Sequence, residues 1–125
     1  MVTKVITTTK APGAIGPYSQ AKTANGFLFV SGQLPLDPQT GTMPDSVEEQ
    51  TVQSMKNVLE IVKAAGGTAE GIVRCGLYVR DMSKFGAINA EYAKFFEKDP
   101  PARFVVEVSA LPKGAQIEIE AIVAV

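Results

Sequence analysis

The chain has 125 residues, a formal net charge of −1, one cysteine and no histidine. At that length residues 1–125 form one domain that can bury a core without disulfides or a structural metal. Without histidine, Ser-His-Asp, Cys-His and His-ligated metal chemistry cannot be assembled within the chain, and no Lys/Arg cluster exceeds a pair within a few residues, so the electrostatic footprint of a nucleic-acid binder is missing.

A lone cysteine gives neither an internal disulfide nor a thiolate zinc site. No apolar run approaches the length of a membrane span, and residues 1–6 show no signal-peptide core. These features predict a cytoplasmic protein. Phosphate-cradling glycine motifs are absent as well. The expectation is an enzyme with no metal and no cofactor, and such an enzyme must work with Arg, Lys, Glu, Asp, Tyr, Ser, Cys75 and backbone groups.

Residues 2–7 alternate and predict a short edge strand. Residues 10–17 are rich in Pro, Gly and Ala, a loop, and run into Ile15-Gly16-Pro17-Tyr18-Ser19-Gln20-Ala21. Tyr18 stands where a rigid turn enters a strand, and suits either the edge of a core or the wall of a cleft. Asn25-Gly26, between two strand-like runs in residues 21–31, signals a type I′ hairpin. Residues 27–30 are strongly apolar, as a central strand requires. Ser31-Gly32-Gln33 leaves that strand with a glycine that admits a close neighbour or ligand.

Residues 46–65 predict the first helix. Ser46 and Glu49 make a capping-box pattern; Val47, Met55, Val58, Leu59 and Val62 form the apolar stripe, with Val52 beside it; Gly66-Gly67 ends it. Residues 71–80 alternate again, placing Val73, Cys75, Leu77 and Val79 on one face. That phase makes Cys75 a small core hydrophobe rather than a nucleophile. Asp81 and Ser83 offer caps for a second helix reaching Glu97, with a stripe of Phe85, Ile88, Tyr92 and Phe95 and with Asn89 at its edge. Asp99-Pro100-Pro101 breaks it.

Residues 101–125 hold two alternating runs around Leu111-Pro112-Lys113-Gly114, which predicts an antiparallel pair. In that pairing Phe104, Val106 and Val108 share a face with Ile117, Ile119 and Ala121. Arg103, Val105 and Glu107 share the other with Glu118, Glu120, Ile122 and Ala124. A mixture of one arginine, three carboxylates and apolar groups fits a cross-strand salt bridge from Arg103 to Glu118 or Glu120. It also fits an anion site with a carboxylate beside it for proton transfer.

The element order predicts an α+β fold: a single mixed six-stranded sheet with two helices on one face. The other face, with Val105, Ile122 and Ala124 among its charges, is too apolar to stay open and calls for burial against other subunits.

Four stretches carry a family likeness: Ile15–Ala21 as written above; Val30-Ser31-Gly32-Gln33-Leu34-Pro35; Asp81, Phe85, Asn89, Tyr92, Phe95 and Phe96 at their spacing; and Pro101-Ala102-Arg103 through Ile117-Glu118-Ile119-Glu120-Ala121. Together they closely resemble the Rid (YjgF/L-PSP) family of reactive intermediate deaminases. The resemblance implies a chorismate-mutase-like fold, a homotrimer, and clefts between subunits where 2-imino acids released by pyridoxal-phosphate enzymes are hydrolysed to 2-keto acids and ammonia. It implies that Arg103 grips the substrate carboxylate and that Glu118 holds and activates the attacking water. Tyr18 would line the cleft, Ser31, Gly32 and the Val105 backbone would complete it, and Asn89 would support it. Two departures stand out. Val105 replaces the cysteine of many members, and the Lys98-Asp99-Pro100 segment is short, with Pro100 where a phenylalanine often stands. A non-catalytic ligand-binding or chaperone-like trimer is the alternative class. The endoribonuclease label borne by some members fits poorly with a chain lacking histidine and a basic track.

Overall fold

The computed structural model describes residues 2–125. Asn25 and Gly26 take φ of 51° and 81°, the left-handed pair that a two-residue hairpin turn demands. They join β2 (Ala21–Ala24) to β3 (Phe27–Gln33), with Ala24 opposite Phe27. The remaining elements are β1 (Lys4–Ile6), α1 (Val47–Ala64), β4 (Ile72–Val79), α2 (Phe85–Ala93), β5 (Ala102–Glu107) and β6 (Ile117–Ala124). The six strands form one mixed sheet in the order β1-β2-β3-β6-β4-β5. Only β4 and β5 pair in parallel.

Both long crossovers are helical because both join strands that run the same way. β6 lies antiparallel to β3 and to β4, so those two are parallel to each other and α1 must carry the chain between them. α2 does the same for β4 and β5. Ser46 caps α1, its Oγ accepting from Glu49 N at 3.1 Å. At the other end Gly66, at φ 82°, lets the Gly66 and Gly67 N–H groups donate to Lys63 and Val62 carbonyls.

The two helices cover the same face of the sheet, as the element order predicts. Met55, Val58, Ile61 and Val62 of α1 and Ile88 and Tyr92 of α2 form one cluster with Leu28, Val30, Leu77, Val79, Ile117, Ile119 and Val123. The predicted α1 stripe omits Ile61 and four buried polar residues, Gln50, Thr51, Ser54 and Asn57. Hydrogen bonds replace water for three of them: Gln50 Nε2 donates to the Pro44 carbonyl, Thr51 Oγ1 to the Val47 carbonyl and Asn57 Nδ2 to the Leu34 and Leu36 carbonyls, whereas the Ser54 hydroxyl has no partner among the described residues.

The expected pairing of the two C-terminal runs is not what forms. β4 lies between β5 and β6. Alternation reports which side chains share a face but not which strand is the neighbour. Register with β4 sets the phase of β5: Cys75 is opposite Arg103 and Leu77 opposite Val105. Arg103 and Val105 therefore face the helices, and Val105 packs against the core. Phe104 and Val106 face the open side with Glu118 and Glu120. Arg103 thus makes no salt bridge with either glutamate; Glu120 pairs with Arg74 instead, at 3.6 Å. In β4 a bulge between Ile72 and Arg74 turns Val73 outward and puts Ile72 in the core place expected for it. α2 is also shorter than predicted, preceded by a separate 3₁₀ turn at Met82–Lys84.

The face without helices carries Phe27 and Phe29, 41% and 48% exposed, and Val106, 41% exposed. It is more apolar than the predicted set, which wrongly included Val105 and lacked the aromatic rings.

Two glycines should respond in opposite directions. A Cβ on Gly71 would lie 2.5 Å from the Ala124 carbonyl oxygen, whereas one on Gly86, in α2, meets nothing within 4 Å. Gly71→Ala is expected to destabilise by roughly 1–3 kcal/mol through overpacking. Gly86→Ala is expected to stabilise by about 0.5–1 kcal/mol through helix propensity. Urea midpoints at one protein concentration check both.

Candidate active site

A bulge in β3 prepares the first half of the site. Val30 pairs with Ala121 and Gln33 with Ile119, so β3 spends one more residue than β6 over this stretch. Ser31 and Gly32 occupy it. Ser31 Oγ donates to the Ser19 carbonyl at 2.6 Å, and Ser31 N donates to the Gln20 carbonyl at 2.9 Å. These bonds fasten the Tyr18 loop to the strand. Gln20, buried, holds the loop from its other side: Nε2 donates to the Thr8 and Pro12 carbonyls at 3.0 and 2.8 Å, while Oε1 accepts from Thr8 N at 2.7 Å. The sequence reading missed Gln20; its only signal was a place inside the Ile15–Ala21 motif.

Gly32 has no side chain for a reason that concerns Glu118. A Cβ there would lie 2.9 Å from the Glu118 carboxyl carbon and 3.0 Å from Oε2. The glycine thus lets a carboxylate lie against bare backbone. Tyr18, Ser31, Gly32 and Glu118 line one groove of about 500 Å³, with Ile15 and Leu34 as apolar wall and Lys113 at the rim. A larger hollow of about 690 Å³ over Leu59 and Lys63 of α1 contains none of the predicted site residues.

Glu118 is the unusual carboxylate. Burial raises its pKa above the ordinary 4.5, and the neighbouring charge of Glu120 raises it further. Glu120 differs: Arg74 lies 3.6 Å away and the Tyr78 hydroxyl donates to it at 3.2 Å. Glu107 accepts from Met82 N at 2.8 Å. Of the three acids on these strands, Glu118 alone lies in the groove without a cation within 4.0 Å among the described residues.

The second half of the site lies on the helix side of β5. Arg103 Nη1 donates to Asn89 Oδ1 at 2.7 Å. Its guanidinium carbon stands 4.9 Å from the centre of the Tyr92 ring and 5.5 Å from that of Phe85. Among the described residues no carboxylate lies within 4.0 Å of it. A planar cation held by a neutral acceptor and two rings still has its charge and most of its five donors to offer. Val105 follows on β5, an edge strand whose outer backbone groups have no partner strand among the described residues. Cys75, opposite Arg103, is buried, and burial pushes its thiol pKa up, which suits a core side chain rather than a nucleophile.

The seven predicted residues therefore fall into two sets. Tyr18, Ser31, Gly32 and Glu118 share the groove; Arg103, Asn89 and Val105 share the β5 edge. Glu118 and Arg103 point to opposite faces, on strands separated by β4, about 10 Å across the sheet. One chain does not bring them together.

The sequence from residue 8 to residue 125 matches the family model described as Endoribonuclease L-PSP. The chain belongs to this family, that of the YjgF and Rid proteins. A mouse relative named 2-iminobutanoate/2-iminopropanoate deaminase is 46% identical, over 98% of this chain and 91% of its own. A RutC family protein of Haemophilus influenzae is also 46% identical, over 98% and 97%. Among solved structures, the Rid family protein YyfA of Yersinia pestis superposes with a TM-score of 0.97 at 44% identity, covering 99% of this chain and all of that one. TdcF of E. coli, solved with bound serine, gives 0.95 at 42% identity, with 98% of each chain covered. The predicted family and fold are thus both borne out.

The Glu118 carboxyl is expected to titrate with a midpoint above 4.5, measured by ¹³C NMR of the side-chain carbonyl. Glu120→Gln removes the like charge and should move that midpoint down. Because the folded form binds this proton more tightly than the unfolded chain, the group costs stability as pH rises from 4.5 through its folded value. A midpoint that Glu120→Gln leaves unmoved would contradict the account of the groove.

Proposed function

We propose that the protein hydrolyses 2-imino acids to 2-keto acids and ammonia, in clefts between the subunits of a homotrimer. In each cleft the Arg103 set of one subunit meets the Glu118 set of its neighbour. The observation that carries this reading is the complementarity of the two halves: an unpaired guanidinium on one surface and an unpaired, proton-avid carboxylate in a groove on another. The exposed Phe27, Phe29 and Val106 supply the apolar surface that would drive association. The mouse relative's name and the serine bound to TdcF point to the same class of small, carboxylate-bearing nitrogen compounds.

The chemistry needs little more than these groups. The substrate's iminium carbon is already electrophilic. Arg103 takes the carboxylate through two parallel N–H···O bonds, with Asn89 fixing the guanidinium. Glu118 accepts a proton from water as the C–O bond forms and the C=N bond becomes single. The resulting carbinolamine takes that proton back on nitrogen, the C–N bond breaks as the carbonyl forms, and ammonia leaves with the hydroxyl proton. A carboxylate whose pKa lies above the ordinary value both takes and returns a proton more readily near neutral pH. Tyr18, Ser31 and the bare Gly32 backbone close the groove around the reacting carbon.

Arg103→Lys keeps the charge but not the fork, and is expected to remain trimeric while losing at least about a hundredfold in kcat/KM, on the order of 2.7 kcal/mol. Glu118→Gln should bind a non-reactive 2-keto acid yet lose turnover, with Glu120→Gln milder than either. Steady-state kinetics on 2-iminobutanoate and 2-iminopropanoate, with a keto-acid titration, decide this; normal turnover by Arg103→Lys would return Arg103 to a structural role. Light scattering on the purified protein should give three times the chain mass, and a stable monomer at micromolar concentration would remove the inter-subunit cleft.

A further inference from the structure

Arg103 is partly buried, yet among the described residues no carboxylate lies within 4.0 Å to compensate it. One face of α2 does so instead. Phe85, Asn89 and Tyr92 recur at helical spacing, and each touches the guanidinium: Phe85 at 5.5 Å, Asn89 by the 2.7 Å hydrogen bond, Tyr92 at 4.9 Å. Aromatic faces attract a cation through their quadrupole, and more strongly where water is excluded. Rings against its surface and an acceptor on one nitrogen leave the guanidinium free to act only through its remaining in-plane N–H groups.

Tyr92 itself presents a puzzle that this arrangement resolves. It is only 4% exposed, and its hydroxyl has no hydrogen-bond partner among the described residues. The hydroxyl lies beside Cys75 without hydrogen-bond geometry, and burial with the neighbouring thiol pushes the phenol pKa far up. A buried phenol without an acceptor is a cost, so what the side chain contributes is its ring.

We infer that Tyr92, with Phe85, is a positioning residue for substrate binding: the two rings fix the Arg103 guanidinium so that its free edge meets a carboxylate. This rests on the reading of Arg103 as the carboxylate clamp. It assigns the apolar stripe of α2 a role in recognition beyond core packing. It also separates the ring, which matters, from the hydroxyl, which does not.

The test uses the intact protein with three substitutions and 2-oxobutanoate as a non-reactive probe. Tyr92→Leu fills the core without a ring and should weaken 2-oxobutanoate binding about five- to tenfold, raise KM for 2-iminobutanoate to match, and leave kcat within about twofold. Tyr92→Phe keeps the ring and should restore wild-type affinity. Phe85→Leu, at a partly exposed site, should weaken binding in the same direction and carries the test if Tyr92→Leu fails to fold. ¹⁵N relaxation of the Arg103 guanidinium gives a readout independent of the reaction: Tyr92→Leu or Phe85→Leu should mobilise it, and Tyr92→Phe should not. Unchanged guanidinium mobility and affinity in the folded leucine variants overturn the inference, as does weakened binding in Tyr92→Phe equal to that in Tyr92→Leu. Arg103→Ala separates the two claims: if it binds 2-oxobutanoate normally, the clamp reading falls and the inferred role in binding with it. If it loses binding while the leucine variants bind as wild type, only the positioning role falls.

Discussion

The last strand of the chain lies in the middle of the sheet, and the rest of the architecture follows from that insertion. β6 runs antiparallel to both β3 and β4 and hydrogen-bonds to each. It brings Ile117, Ile119, Ala121 and Val123 under the helices, all buried. It brings Glu118 and Glu120 to the opposite face. With β6 in place, β3 and β4 become parallel strands that only a crossover can connect, which fixes the position of α1. The β3 bulge opposite β6 then puts Gly32 against Glu118. The strand that joins the two halves of the sheet also builds the groove.

Charge placement follows from the same register. Glu120 and Gly76 are opposite each other across β6 and β4, with Arg74 two residues from Gly76 along the strand. Tyr78 lies two residues the other way and completes the partners of Glu120. Glu118, one step further along β6, faces Tyr78 in register and reaches the β3 bulge instead of a cation. Two glutamates of similar sequence context thus have different environments. One is an ion-pair member on an apolar face. The other is half-buried and holds its proton above the ordinary range, and that difference makes a proton-transfer role chemically specific.

Arg103 shows the complementary case. As the edge strand, β5 takes its phase from β4 alone, and that phase turns the arginine away from both glutamates toward α2. Of the predicted helix stripe of Phe85, Ile88, Tyr92 and Phe95, the first three share a face of α2 and Phe95 lies beyond its end; as an explanation the stripe was incomplete. Ile88 enters the core, whereas Phe85 and Tyr92 also serve the guanidinium. A stripe of apolar spacing looks the same in sequence whether its rings pack against leucine or against a cation.

Local grammar was readable from the sequence because its causes are local. The Asn25-Gly26 turn, the Ser46 cap, the Gly66 helix end, the six strands, the two helices and the core phase of Cys75 each depend on residues a few positions apart. The motifs around Tyr18, Ser31, Arg103 and Glu118 named the family through chemistry that short segments retain. Strand adjacency was not readable, because alternation is blind to which strand lies next door. The hairpin expected for residues 101–125, the Arg103–glutamate pair and the exposed place of Val105 all failed for that one reason. Glu118 and Glu120 sit on the same face of the same strand, so sequence alone gave no physical means to tell them apart. Only the tertiary structure did so, by setting Arg74 and Tyr78 beside Glu120 and the β3 bulge and its groove beside Glu118, since a carboxylate's chemistry is decided by what neighbouring strands bring to it.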